Sequence, residues 1–169
     1  MAFREIEMMH LYQDLILRHA KNSVFERPVA GATHRVRGAN PLCGDFVTIE
    51  LKIQAGLIAE LGFQGDMSAI TRASASLMCG LILGLPLAQA ELRVQAAFAL
   101  LTGQDSPELD AVLGEFATMR ILRNFPNRIK TATLPWAALK QALSGESEVQ
   151  VSTETSPETN SETRSETSP

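Results

Sequence analysis

The sequence predicts an α+β domain in which helices cover one face of a small three-stranded antiparallel sheet, followed by a disordered C-terminal tail. In residues 46–53, apolar and polar side chains alternate, which is the period of a strand with one wet face. After Gly65 the apolar residues recur at helical spacing instead. Strands followed by a run of helices are typical of α+β domains, and 169 residues with 45% apolar content are enough for one core.

The first predicted element is an amphipathic helix over residues 4–20, where apolar residues recur at helical spacing. Three strands follow over residues 34–37, 46–53 and 57–64. Residues 54–56 are short enough to form a hairpin turn, so we expect the last two strands to be antiparallel neighbours.

Four helices are predicted after the strands. Residues 69–83 are small and apolar almost all round, which indicates a central buried helix. A second helix presents one apolar face over residues 87–101. Ser106 and Pro107 are suited to the N-cap and first position of a third helix. The last helix is expected over residues 135–143.

The composition changes abruptly near residue 145, so the folded domain is assigned to residues 1–144. Residues 145–169 hold eleven Ser or Thr and six Glu, and no large apolar residue follows Val151. Such a segment buries too little surface to offset its ordering entropy, so we expect a disordered tail. Deleting it should leave thermal unfolding unchanged. Its Ser/Thr/Glu repeats also fit a phosphorylatable or solubilising linker, which is an alternative leading role.

Charge and composition exclude several classes of function. The tail contributes −5 to the formal net charge of −4, so the folded part is near +1 and no nucleic acid or membrane partner is expected. Charged residues occupy the N-terminus where a signal peptide would need an apolar run. With only two cysteines, the chain is expected to be cytoplasmic.

Residues 40–45, Asn-Pro-Leu-Cys-Gly-Asp, form the most informative motif. Proline and glycine favour a tight turn that holds the thiol of Cys43 away from the backbone, two residues before the carboxylate of Asp45. A thiol in this position suggests chemistry. The other cysteine, Cys79, lies in the predicted buried helix and is interpreted as a core residue.

A series of short motifs occurs between about residues 10 and 140. They are Leu11-Tyr12 with Ile16, His19 and Lys21-Asn22; the 40–45 turn; Phe63-Gln64-Gly65; Ala73-Ser74-Ala75-Ser76; Phe125-Pro126; Arg128-Ile129-Lys130; and Ala132-Thr133-Leu134. In order and spacing the chain resembles the iron–sulfur cluster assembly scaffolds of the SufU, IscU and NifU N-terminal type. The long helical region points to the SufU branch, and the chaperone-docking segment of the IscU branch is absent.

The resemblance implies a SufE/NifU-like fold and a site for zinc or a nascent iron–sulfur cluster, held by three cysteines and an aspartate. Cys43 and Asp45 match the first cysteine and the aspartate and are the candidate metal and cofactor ligands. The second and third cysteine positions are assigned to Ser68 and Arg123, and a further cysteine of some SufU-type proteins to Thr131. The implied partners are a cysteine desulfurase and downstream cluster acceptors.

The two replacements weaken the implied site, because a protonated hydroxyl is a poor ligand and a guanidinium has no lone pair to donate. Asp66 or a partner's side chain would be needed to complete it. Arg123 suggests a different role: a cation near Cys43 would favour the thiolate, and Arg123 would pair with Asp45.

The leading hypothesis is therefore an iron–sulfur cluster assembly protein that receives sulfur or iron at Cys43, with a degenerate metal site. The first alternative is a sulfur acceptor, or a regulatory binding partner of a cysteine desulfurase, that binds no cluster. A third interpretation makes Cys43 the relic of a lost site.

Overall fold

The computed structural model describes residues 2–145 and 148–152 of the chain. Its elements occur in the order α1 (Ala2–Lys21), β1 (His34–Asn40), β2 (Asp45–Gln54), β3 (Leu57–Asp66), α2 (Ala69–Ile82), α3 (Leu87–Leu101), α4 (Pro107–Leu113), a 3₁₀ helix (Gly114–Asn124), α5 (Pro126–Leu143) and β4 (Glu148–Ser152). The predicted α+β class and the predicted order of strands and helices are confirmed.

The first three strands form the predicted antiparallel sheet. A short turn joins β1 to β2, and Asn40 pairs with Asp45 where the two strands meet that turn. The β2–β3 hairpin turns at Ala55 and Gly56, which both have positive φ, as a tight two-residue turn requires. The hairpin aligns Val47 on β2 with Gly65 on β3, close to the loop that leads into α2.

A fourth strand joins the sheet, which has the order β3-β2-β1-β4. Strand β4 pairs in parallel with β1, from Arg35 opposite Glu148 to Ala39 opposite Ser152. From the sequence, these residues were expected in the disordered tail, whereas in the structure they pair with β1. Five residues are close to the lower limit for a strand, and the segment is surrounded by polar sequence. The exposed backbone edge of β1 supplies the partner that local composition does not reveal.

Two truncations should therefore behave differently. Removing residues 153–169 should leave the midpoint of thermal unfolding unchanged. Removing residues 145–169 should lower it by about 4 °C, because β1 then loses the backbone hydrogen bonds to β4. Circular dichroism melts of both shortened chains measure the difference. Equal midpoints for the two chains would contradict a stabilising role for β4.

Helices α2 and α5 lie on the sheet, and α1, α3 and the 3₁₀ helix pack against them. Apolar side chains of the sheet, including Val47, Ile49 and Phe63, are fully buried beneath this layer. Cys79 in α2 is buried as well, and burial raises the pKa of its thiol, so the interpretation of Cys79 as a core residue is confirmed. Among the described helices, none has both the length and the apolar character to cross a membrane.

Helix α5 begins nine residues earlier than predicted, at Pro126 rather than Pro135. Pro126 occupies the first turn, where a proline costs no hydrogen bond, whereas Pro135 lies inside the helix. Because proline has no backbone N–H, Pro135 cannot donate to the carbonyl of Thr131 four residues earlier. The oxygen of Thr131 is thus available to a side chain from another element, and the hydroxyl of Thr71 in α2 lies 3.3 Å from it.

Candidate functional site

The turn between β1 and β2 holds Cys43 at one end of the sheet, as predicted. The carbonyl of Asn40 accepts hydrogen bonds from the backbone N–H groups of Cys43 and Gly44, at 3.3 and 2.9 Å. The Asn40 side chain accepts another from the N–H of Leu42, at 3.2 Å. Gly44 has φ of 74°, which closes the turn at little conformational cost. The Cys43 side chain is exposed, with a weak contact of 3.8 Å to the carbonyl of Asn40.

A shallow cavity of about 270 Å³ lies next to Cys43. It is lined by Asn40, Leu42, Cys43, Asn127, Arg128 and Thr131. Two of these residues, Asn127 and Arg128, belong to the first turn of α5, so the positive end of that helix dipole faces the cavity. Arg128 also stacks over the ring of Phe125 at 4.7 Å. A cation and a helix N-terminus therefore border the open space beside the thiol.

Asp45 is buried, at 7% exposure, and both oxygens of its carboxylate accept hydrogen bonds. Oδ1 accepts from the backbone N–H of Ser68 at 3.0 Å, and Oδ2 accepts from the Ser68 hydroxyl at 2.7 Å. Oδ2 also accepts from the hydroxyl of Thr71. Ser68 is at the same time the N-cap of α2, so this carboxylate fixes the start of that helix to the start of β2.

Arg123 does not pair with Asp45, and this part of the sequence hypothesis is wrong. Its guanidinium donates to the carbonyls of Leu100 and Gln104 and forms an ion pair with Asp105 at 2.8 Å. The hydrogen bond from Arg123 holds the pKa of Asp105 below its ordinary value. Arg123 lies in the last turn of the 3₁₀ helix, and its side chain contacts the C-terminus of α3. It therefore caps that helix, as a cation at a helix C-terminus does.

Thr131, unlike Arg123, lies at the site beside Cys43. It lines the cavity beside Cys43, and its backbone carbonyl lies beside the Thr71 hydroxyl that contacts Asp45. From the sequence, Thr131 was assigned to the position of a further cysteine found in some SufU-type proteins. Thr71 and Arg128 were not predicted as site residues, although Arg128 belongs to the motif Arg128-Ile129-Lys130. The signal for Thr71 was available in the spacing of Ser68 and Thr71, which places both hydroxyls on the first turn of a helix.

The donors at this site do not fit zinc or an iron–sulfur cluster. Structural zinc sites have four thiolate, imidazole or carboxylate ligands, and clusters are usually held by four thiolates. Here Cys43 is the only thiol, both oxygens of Asp45 already accept hydrogen bonds, and Ser68 and Thr131 carry hydroxyl groups, which are poor ligands. Over residues 2–145 and 148–152, no three His, Cys, Asp or Glu side chains come together as a metal site would need.

Comparisons with known proteins agree with the fold and the motifs. The sequence profile of the NifU-like N-terminal domain matches residues 11–132. The iron–sulfur cluster assembly scaffold protein IscU of Thermotoga maritima is 32% identical over 133 residues, which cover 79% of this chain and 92% of that protein. The zinc-dependent sulfurtransferase SufU of Bacillus subtilis is 29% identical over 136 residues, covering 80% and 91%.

Solved structures give the same result. The crystal structure of a protein described as an iron–sulfur cluster assembly scaffold of the SUF system, from Fervidobacterium islandicum AW-1, superposes with a TM-score of 0.74 at 28% identity. The match covers 79% of this chain and 97% of that one. These relatives are thus similar to nearly the whole folded part of the chain.

Proposed function

Because the chain belongs to the NifU-like N-terminal domain family, we propose that it works in iron–sulfur cluster assembly, where it receives sulfur at Cys43. The sulfur donor in this proposal is a cysteine desulfurase, and the sulfur then passes to a downstream cluster-building acceptor. Sulfur is favoured over iron as the atom received, since a single thiolate binds one sulfur atom covalently but supplies only one of the ligands that iron needs.

One observation carries this proposal: Cys43 is an exposed thiol beside an open cavity that is bordered by Arg128 and the N-terminus of α5. A thiolate and a persulfide are both anions, and a cation and a helix N-terminus stabilise anions at close range. Cys79 lacks all of these features, because it is buried in the core.

The transfer step follows ordinary thiol–persulfide chemistry. The Cys43 thiol loses its proton to solvent, and the thiolate attacks the outer sulfur of the donor's cysteine persulfide. A new S–S bond forms at Cys43 while the S–S bond of the donor breaks. The donor cysteine leaves as a thiolate, so the sulfane sulfur moves without net oxidation or reduction. Cys43 then carries a persulfide next to the cavity.

The test is to incubate the protein with a cysteine desulfurase and L-cysteine and to measure intact and peptide masses. We expect a gain of one sulfur atom on the peptide that contains Cys43. Cys43→Ser should gain none, and Cys79→Ser is the matched control that should still gain sulfur. A wild-type protein that stays unmodified while the desulfurase turns over would contradict the proposal.

The alternative role, a regulatory partner that binds the desulfurase without accepting sulfur, predicts a different outcome. Cys43→Ser would then alter desulfurase turnover as much as the wild-type protein does. The exposure of Cys43 favours the acceptor, because a purely regulatory surface has no need of an accessible thiol.

A further inference from the structure

The site contains a cluster of hydrogen-bonded oxygens, here called the hydroxyl clamp and consisting of Asp45, Ser68, Thr71 and Thr131. These residues lie at the start of β2, at the N-cap and first turn of α2, and in α5. We propose that the hydroxyl clamp replaces a metal ion as the cross-link between these three elements. The chain then needs no metal for its stability or to present Cys43.

The hydrogen bonds of the clamp occupy three of the about four acceptor positions of the Asp45 carboxylate, including both positions of Oδ2. Asp45 accepts from the backbone and hydroxyl of Ser68 and from the hydroxyl of Thr71. Each contact places a proton between the carboxylate and its neighbour. A cation that bound Oδ2 would have to displace the Thr71 hydroxyl, which would lose its carboxylate partner in a buried position, and this costs free energy.

Hydrogen bonds also connect α5 to α2 without a metal. Pro135 removes the helical partner of the Thr131 carbonyl, and the Thr71 hydroxyl lies within 3.3 Å of that oxygen. One residue further along α5, the carbonyl of Ala132 accepts a hydrogen bond of 2.6 Å from the Ser74 hydroxyl. Two hydroxyl groups of α2 thus contact consecutive carbonyls of α5.

Positions 68 and 131 are close to the two predicted ligands. Ser68 Oγ lies 2.7 Å from Asp45 Oδ2, and Thr131 lines the same cavity as Cys43. Cysteines at positions 68 and 131 would therefore add two thiols to Cys43 and Asp45 at one end of the sheet. Three thiolates and one carboxylate make a four-ligand set that zinc accepts. Two side chains thus separate a metal-free site from a zinc site on the same backbone.

The experiment compares the wild type with the double variant Ser68→Cys, Thr131→Cys, each equilibrated with Zn²⁺ and then desalted. Bound zinc and iron are measured by elemental analysis, and thermal unfolding is followed with and without EDTA. We expect substoichiometric metal in the wild type and an unfolding midpoint that neither Zn²⁺ nor EDTA changes. The double variant should bind about one zinc per chain and unfold at a higher temperature with zinc than with EDTA.

The control is the double variant combined with Cys43→Ser, which should lose most of the added zinc affinity. About one equivalent of zinc or iron in the wild type, or a wild-type midpoint that falls in EDTA, would overturn the proposal. So would a folded double variant that binds no zinc. If the double variant does not fold, the metal content of the wild type and the effect of EDTA on its unfolding midpoint still test the proposal.

The hydroxyl clamp and the proposed function can fail independently of each other, because metal content and sulfur gain are measured in the same wild-type samples. Metal-free protein that gains no sulfur would refute the acceptor role and leave the hydroxyl clamp standing. Protein that gains sulfur only when zinc is bound would refute the clamp and leave Cys43 as the acceptor.

Discussion

Asp45→Ala should lower the free energy of unfolding by about 3 kcal/mol, because a nearly buried carboxylate with three hydrogen-bond donors is removed. The backbone N–H of Ser68 and the hydroxyls of Ser68 and Thr71 would lose their acceptor. Chemical denaturation followed by circular dichroism measures the loss.

Two further variants serve as controls for Asp45→Ala. Asp45→Asn keeps an acceptor oxygen and a similar shape, so its free energy of unfolding should lie between those of the wild type and Asp45→Ala. Asp66→Ala removes an exposed carboxylate two residues before Ser68 and should change stability little. A loss of similar size from Asp45→Ala and Asp66→Ala would show that the buried network contributes no special stability.

Exchanging the two arginines for glutamine should separate stability from sulfur acceptance. Arg128→Gln should slow sulfur transfer to Cys43 about tenfold, since the loss of about 1.4 kcal/mol of favourable charge interaction in the transition state corresponds to that factor. Its stability should remain close to that of the wild type, because Arg128 makes its described contact with the partly exposed ring of Phe125.

Arg123→Gln should lower the stability of the protein and leave the rate of sulfur transfer to Cys43 unchanged. It removes hydrogen bonds to Leu100 and Gln104 and the ion pair with Asp105, so we expect a loss of about 2 kcal/mol in stability. The rate of sulfur gain, measured by mass spectrometry below the unfolding transition, should be unchanged. A slow transfer rate in Arg123→Gln and a normal rate in Arg128→Gln would restore the hypothesis made from the sequence and refute the assignment made from the structure.

The contrast between these two arginines shows what the sequence could and could not predict. The turn around Cys43 depends on local preferences of proline, asparagine and glycine, so it was predictable from six consecutive residues. The hydrogen bond from Thr71 to Asp45 joins residues 26 positions apart, which meet only when the β2–β3 hairpin brings α2 back to the start of β2. The contact between Thr71 and Asp45 therefore cannot be predicted from the residues next to either of them.

The wrong expectation that Arg123 lies beside Cys43 and Asp45 has a similar physical origin. Arg123 and Thr131 lie on consecutive elements, a 3₁₀ helix and an α-helix, but Arg123 contacts the end of α3 whereas Thr131 lines the cavity beside Cys43. The sequence prediction also started the last helix at Pro135, which left residues 126–134 without a helical face. Without that face, position 131 could not be placed next to Cys43.

The parallel pairing of β4 with β1 has a consequence for how binding should be measured. Ser152 lies opposite Ala39, at the end of β1 that leads into the Cys43 turn. Ser152, the last described residue of the chain, therefore lies at the end of the sheet that a partner of Cys43 must approach. Partner affinities are best measured with both the tag-free full chain and a chain that stops at Ser152, so that any effect of the residues after Ser152 on binding is measured directly.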